Sequence, residues 1–180
     1  MTNAQQDMHL VALIKKGDDK ALESLYRKYY YSLCQFASFF TNRDDLAQEI
    51  VSDVFVKLWE KRNSLTVSRN LKAYLFKATQ NMAINYMKQE KNNMGDLYEN
   101  IQENTHNPVE ALIFKEFEHE MTAIINHLPQ KRKAIFQLNR FEGFTYHEIA
   151  EILSLSVKTV ENQMGKAIKQ LRSMYRTQEF

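Results

Sequence analysis

Glycine and proline are scarce in this chain, four and two among 180 residues, which leaves little material for hairpin turns or glycine-rich phosphate loops. An all-α fold is expected. The single cysteine, Cys34, has no internal disulfide partner and lies among Leu33, Phe36 and Ala37 in a helical pattern, so it reads as core filler. Also missing are an N-terminal apolar run long enough for a signal peptide and any stretch of about 18 apolar residues able to span a membrane. A cytoplasmic protein is the expectation. Net charge is small, +2 overall, but unevenly spread. From Gln130 to Arg176 nine Lys/Arg stand against four Asp/Glu, a net of +5, whereas from Asn92 to Glu120 one Lys stands against seven Asp/Glu, a net of −6. A basic C-terminal part favours a polyanionic partner.

What is present is helical periodicity with clear punctuation. A short helix is expected over Leu10–Lys16, stopped by Gly17, and Asp18-Asp19 offers caps for a long helix through Phe40. A third runs from about Asp44 to Arg62, a polar loop spans Asn63–Asn70, and a fourth covers about Leu71–Gln89. Periodicity then fades through Lys91–Pro108, where Asn, Gln, Asp and Glu gather, and resumes near Val109–His127, Gln130–Arg140, Thr145–Leu153 and Val157–Tyr175. Two small helical domains joined by a flexible linker follow: an N-terminal domain over 1–91, an acidic linker over 92–108, and a three- to four-helix bundle over 109–180.

The sharpest motif is Gly143–Arg172. Thr145 and Glu148 have the spacing of a capping box, so a helix starts at Thr145 and continues through the apolar stripe Ile149, Ala150, Ile152 and Leu153. Ser154-Leu155-Ser156 interrupts it with a turn whose last Ser can cap a second helix. That turn length, small Ala150 at the crossing and Leu155 at the corner match a helix-turn-helix. On the second helix Val157, Val160, Met164, Ala167 and Leu171 share one inward face. At about 100° per residue, Lys158, Asn162, Gly165, Lys166 and Lys169 fall opposite, with Thr159 and Glu161 at the margins. Gly165 in mid-helix costs about 1 kcal/mol against Ala, a cost with a reason if the backbone lies close to another surface such as DNA.

Two N-terminal helices carry further signals. On the fourth, Leu71, Leu75, Ala78, Met82 and Tyr86 form an inward stripe, while Lys77, Asn81, Ile84, Lys88 and Lys91 lie nearly opposite. Such a face can hold phosphates and read unpaired bases, and it is also what any solvated helix shows. The third helix has two adjacent apolar stripes, Leu46/Ile50/Val54/Leu58 and Val51/Phe55/Trp59, flanked by Gln48, Glu49, Ser52 and Asp53. Its apolar surface is wide enough for a helix central in a bundle or for one partly reserved for a partner.

Three runs now compose a family pattern: Ala21–Tyr30 (ALESLYRKYY), Asp45–Trp59 (DLAQEIVSDVFVKLW) and Leu71–Asn81 (LKAYLFKATQN). Together they resemble the core domain of extracytoplasmic-function sigma factors of the sigma-70 family. Leu128–Phe136, Gly143–Ala150 and Ser156–Glu161 are similar to the second domain of the same family, in its order and spacing. The resemblance implies a dissociable subunit of bacterial RNA polymerase that selects promoters. It implies that Gln48, Glu49, Ser52 and Phe55, with Val51 and Trp59 nearby, meet the polymerase clamp. The loop Asn63–Asn70 would capture a flipped −10 base, helped by Asn81, with Lys77, Lys88 and Lys91 on the same face. The helix starting at Val157 would read duplex −35 DNA through Ser156, Lys158, Thr159, Asn162, Gln163 and Lys166, while Lys131, Arg132, Arg140 and Lys169 hold phosphates. Strand opening would rest on capture of an extruded base, so no catalytic residue, cofactor, metal or small-molecule substrate is expected. Core RNA polymerase and promoter DNA are the implied partners, together with an anti-sigma factor, often membrane-bound in this family. The acidic stretch from Asn92 to Glu120 is either a nucleic-acid mimic in the polymerase cleft or a solvated spacer.

The chain departs from the family pattern in places. Ala47-Gln48-Glu49 stands where Ala-Glu-Asp is common, so one clamp-facing charge is missing. Lys88 replaces a common Arg, which weakens a bidentate contact. Ser154 stands where many members carry Gly, and Glu161 puts an acid near DNA, where it accepts from a cytosine amine or sits at the edge. Two rival readings come from other classes. A metal-bearing helical enzyme would use Glu116-x-x-His119, but one such motif falls short of a di-metal bundle, and His147-Glu148-Ile-Ala-Glu151 lacks the second His of a zinc protease helix. A helix-turn-helix regulator acting without polymerase core would have no use for the second stripe Val51/Phe55/Trp59.

Overall fold

The computed structural model describes residues 2–66, 70–94, 125 and 127–177, the side chains of 91–94 and 176–177 excepted. The chain divides into two compact units, Met1–Ile101 and Gln102–Phe180. Every regular element among the described residues is helical.

In the first unit α1 spans Asn3–Lys15, seven residues earlier than the expected start at Leu10. The cause is a second capping box: Thr2 Oγ1 accepts the Gln5 amide at 3.4 Å and Gln5 Oε1 accepts the Thr2 amide at 2.9 Å. Polar residues 3–7 are thereby helical, and one of them, Asp7, is buried. Its carboxylate accepts from Lys28 Nζ at 2.6 Å and from the Tyr29 hydroxyl, so the buried charge is paired and α1 is tied to α2.

Gly17, at φ 85°, breaks the chain, and the Asp18 carboxylate accepts the Ala21 amide at 3.1 Å to cap α2, Asp19–Thr41. This helix ends at Asn42 in the left-handed region, φ 52°, a conformation Asn tolerates better than most residues. Helix α3 spans Asp44–Glu60 and passes into a single 3-10 turn, Arg62–Ser64, so it stops two residues short of the expected Arg62. Helix α4 covers Leu71–Met94, five residues beyond the expected Gln89, and thus takes up the first residues of the expected linker.

Helix α2 is the central rod, packed against α1, α3 and α4. Leu25, Leu33 and Phe36 from α2, Ile50 from α3, and Leu71, Leu75 and Phe76 from α4 are fully buried, each contributing roughly 1.5–3 kcal/mol of transfer free energy. Phe36 anchors the centre, with ring centroids 5.1 Å from Phe76 and 5.2 Å from Phe40.

The second unit contains α5, Gln130–Arg140, α6, Tyr146–Leu153, and α7, Val157–Thr177. All three lie within two residues of the expected spans. Ile135, Leu138, Ile149, Ile152, Val160, Met164 and Ala167 form their shared core. Asn139 Nδ2 closes the turn between α5 and α6 by donating to the Phe144 carbonyl at 2.9 Å, around Gly143 at φ 72°. The expected helix near Val109–His127, the rest of the acidic linker, and Glu116 and His119 lie outside the described residues, apart from 125 and 127.

Candidate nucleic-acid and polymerase interfaces

The C-terminal unit is built to hold one helix firmly and leave its outer side bare. Thr145 Oγ1 accepts the Glu148 amide at 3.3 Å and Glu148 Oε2 accepts the Thr145 amide at 2.9 Å, the reciprocal cap read from the sequence. Helix α6 ends on Ser154 at φ 54°, ψ 45°, and the Leu155 amide donates back to the Ala150 carbonyl at 2.9 Å. This left-handed stop sets the angle at which α7 leaves. Ser156 Oγ then accepts the Thr159 amide at 3.1 Å and shares a 2.8 Å hydrogen bond with the Thr159 hydroxyl, so both side chains take part in the helix start.

Along α7 Val160, Met164 and Ala167 are buried, whereas Lys158, Glu161, Asn162, Gly165, Lys166, Lys169 and Arg172 are exposed. Lys131 and Arg140, on α5, are exposed as well. Glu161 has a local role: its carboxylate lies 3.9 Å from Lys158 Nζ, one turn earlier. A solvent-exposed pair of this kind contributes only about 0.3–0.5 kcal/mol, but it sets a cation beside the acid on the face a polyanion would meet.

Two expected DNA contacts are differently placed. Arg132 Nε donates to Gln163 Oε1 at 3.2 Å and Arg132 Nη1 donates to Gln170 Oε1 at 2.9 Å. Gln170 Nε2 in turn donates to the His127 carbonyl at 3.3 Å. Arg132 is therefore a tether between α5 and α7, and Gln163 Oε1 is one of its acceptors, so both side chains are engaged within the unit. Their spacing of 31 residues hides the pairing from any reading of one helix at a time. The neighbouring Lys133 is half-buried, and that burial lowers its pKa.

In the N-terminal unit the expected clamp face needs a larger correction. Val51 is 0 % exposed and Phe55 3 %, with Phe55 edge-on to Tyr26 at 5.0 Å between centroids and Tyr26 stacked on Tyr30 at 4.7 Å. Both belong to the interior against α2, so a partner cannot touch them in the folded unit. The stripe Val51/Phe55/Trp59 therefore does not separate a polymerase subunit from a stand-alone regulator. Along its length α3 turns outward Gln48, Glu49, Val56 and Lys57, with Ser52, Asp53 and Trp59 half-buried and Asp44, Asp45 and Glu60 exposed at its ends. Val56 is 53 % exposed, an aliphatic side chain amid polar neighbours. It lies four residues from Ser52 and was masked in the sequence by the two stronger stripes beside it. Trp59 carries the Arg62 guanidinium over its ring at 4.5 Å, and Arg62 Nη1 donates to the Trp59 carbonyl at 2.9 Å. This cation on an aromatic face fixes the first residues of the loop.

On α4, Asn81 and Lys88 are exposed on one face. Lys77 is half-buried, its ammonium 3.3 Å from Gln80 Oε1 and its pKa lowered by burial. The side chain of Lys91 lies outside the described residues. Asn63 is exposed in the 3-10 turn, while Asn70 Oδ1 accepts the Ala73 amide at 3.0 Å and so caps α4. Residues 67–69 of the loop are not among those described. Tyr74, 39 % exposed, stands three residues before Lys77 and seven before Asn81 on the same face. The helical arithmetic that selected Asn81 also reaches Tyr74, and an aromatic beside cations and an amide suits unpaired bases. Among the described residues no group of three or more His, Cys, Asp or Glu could hold a metal, and no helix is long and apolar enough to cross a membrane.

Comparison with known proteins adds an independent line. Residues 25–93 match the family described as sigma-70 region 2, and residues 118–171 match sigma-70, region 4. The chain is 25% identical over 178 residues to the ECF RNA polymerase sigma-E factor of Haemophilus influenzae, covering 93% of this chain and 94% of that one. It is 24% identical over 182 residues to the ECF RNA polymerase sigma-E factor of Escherichia coli K12, covering 93% of each. Among solved structures, the sigma factor RpoE in complex with the anti-sigma factor NepR from Bartonella quintana superposes with a TM-score of 0.68 at 21% identity, covering 87% of this chain and 98% of that one. CnrH in complex with the cytosolic domain of CnrY superposes with a TM-score of 0.64 at 22% identity, covering 96% of this chain and 98% of that one.

Proposed function

The chain belongs to the sigma-70 family as an extracytoplasmic-function RNA polymerase sigma factor, and from that premise we propose a division of labour between its two units. The C-terminal unit grips duplex −35 DNA with the outer face of α7. Asn162 reaches base edges, Lys158 and Lys166 lie beside it, and Lys131, Arg140, Lys169 and Arg172 neutralise phosphates. Ser156 and Thr159 contribute by holding the first turn of α7 in place. The N-terminal unit binds core RNA polymerase through the exposed side of α3, Gln48, Glu49, Ser52 and Val56, with Trp59 at the rim. Asn81, Lys88 and Tyr74 on α4, beside Asn63, accept the melted −10 strand. The protein acts in the cytoplasm by binding, with no chemistry of its own.

The observation that carries this reading is the outer face of α7: three exposed lysines and an exposed amide on a helix whose opposite side is sealed into a helix-turn-helix. A regulator working without polymerase core would share that face, but the region-2 match over residues 25–93 has no place in it. The deciding experiment mixes the purified protein with core RNA polymerase and a promoter library. Co-elution with core and transcription from a restricted promoter set are expected; failure to bind core sinks the proposal. By analogy with the two co-complexes, an anti-sigma protein is a further partner, and it should compete with core for the α3 face.

A further inference from the structure

Gly165 has no reason within its own unit to be glycine. Its backbone is helical, it is exposed, and a Cβ built on it meets nothing within 4 Å. A Cβ would fit, and alanine would strengthen the helix, since glycine in a helix interior is destabilising for entropic reasons. The position is nonetheless the middle of the outward line of α7. Asn162 lies one turn before it, Lys169 one turn after, and Lys166 adjoins it, all exposed. Directly beneath, Met164 and Ala167 are buried. The row of amide and cations therefore has a bare notch at its centre.

Groove dimensions say what such a notch is for. A helix with its side chains is about 10–12 Å across, and the major groove is about 12 Å wide and about 8.5 Å deep. A helix entering it side-on has almost no room to spare. Every side chain on the line of deepest entry keeps the axis away from the base edges. Removing one lets the backbone sink and carries its neighbours toward the bases. We propose that Gly165 is the point of closest approach between α7 and promoter DNA, and that it sets how deeply the helix seats and so which base edges Asn162 reaches. Gly165 is thus a specificity-determining position. This rests on the reading of α7 as the duplex-binding helix.

The test uses the full chain assembled with core RNA polymerase, a duplex bearing the −35 site, and the variants Gly165→Ala, Gly165→Leu, Asn162→Ala and Lys166→Ala. Gly165→Ala should raise the melting temperature of the free protein by a few degrees while lowering affinity for the site roughly tenfold, a change of 1.4 kcal/mol. Gly165→Leu should lower affinity further and alter base preference. A higher melting temperature with unchanged affinity and preference, while Asn162→Ala weakens both, would overturn the proposal and spare the reading of α7. Indifference of all four variants would overturn both. Affinity lost together with a lower melting temperature also counts against it, since the fold would then have been damaged rather than the fit.

Discussion

The two units solve opposite packing problems. In the C-terminal unit a single helix, α7, is pinned along one side by Val160, Met164 and Ala167 and by the Arg132 tether, and its other side is left bare. In the N-terminal unit α3 has apolar residues over most of its circumference, and nearly all of that surface is consumed by α2 and α4. Only a narrow strip around Val56 remains. A reading helix can present its whole outer face because DNA asks for charge and amides, which water solvates well. A docking helix in a small unit must first build the core, and it can spare few apolar atoms for a partner.

The sharpest way to break that comparison is at α3. Phe55→Ala should cost about 3–5 kcal/mol and melt the N-terminal unit, because the ring sits at 3 % exposure against Tyr26. Val56→Glu, one residue on, should stay within about 0.5 kcal/mol of the wild-type stability and yet abolish co-elution with core polymerase. If Phe55→Ala leaves the melting curve in place and Val56→Glu binds core normally, the assignment of inside and outside on this helix is reversed.

The C-terminal face yields the next effect. Asn162→Ala should weaken −35 binding by roughly 1–3 kcal/mol and change which bases are preferred, whereas Lys166→Ala should weaken all sequences alike and reduce the salt slope by about one. Promoter binding measured across a salt series distinguishes them. Equal loss on every sequence for both variants would leave α7 as a phosphate clamp without readout.

The contrast between the units also explains what can be read from the chain alone. The caps at Thr145 and Ser156, the turn at Ser154 and the inward stripe of α7 are all set by residues within one or two turns of each other, so periodicity and capping chemistry place them correctly. The spans of α5, α6 and α7 follow. Whether Phe55 faces a partner depends instead on Tyr26, about 30 residues away, and no local pattern encodes that contact. The bond between Arg132 and Gln163 is hidden for the same reason: each looks like a solvent-facing group on its own helix, and their hydrogen bond exists only once the helices cross. Asn70 is a different case. It sits where a helix must begin, and its side chain is the cap, a role that loop composition conceals. The early start of α1 was hidden by the polarity of residues 3–7, which conceals that Asp7 is buried against Lys28 and Tyr29.

The Arg132 tether gives an effect no larger than that expected at Asn162 and tests its role directly. Arg132→Ala removes two hydrogen bonds from a charged donor, and should cost the C-terminal unit about 1.5–3 kcal/mol of stability, discounted toward the lower figure because the group is only half-buried. Thermal melting should show this loss while the salt slope of DNA binding stays unchanged. Lys131→Ala, at an exposed neighbouring position, should do the reverse: an unaltered melting curve and a slope reduced by about one. A salt slope that falls in Arg132→Ala would return the residue to the phosphate-binding set.

The smallest expected effect lies at the joint of the helix-turn-helix. Ser154 holds a left-handed conformation, φ 54° and ψ 45°, which costs a residue with a Cβ roughly 1–2 kcal/mol. Ser154→Gly relieves that strain, but it also gives the unfolded chain more freedom to lose, an opposing contribution of about 0.4–1 kcal/mol. A net gain of about 0.5–1 kcal/mol should remain, visible as a raised melting temperature of the C-terminal unit. DNA affinity should not move, because the angle between α6 and α7 is already set by the Leu155 amide donating to the Ala150 carbonyl. Were affinity to fall in Ser154→Gly, the serine side chain would be acting in readout, and the joint would belong to the DNA-facing surface rather than to the scaffold that supports it.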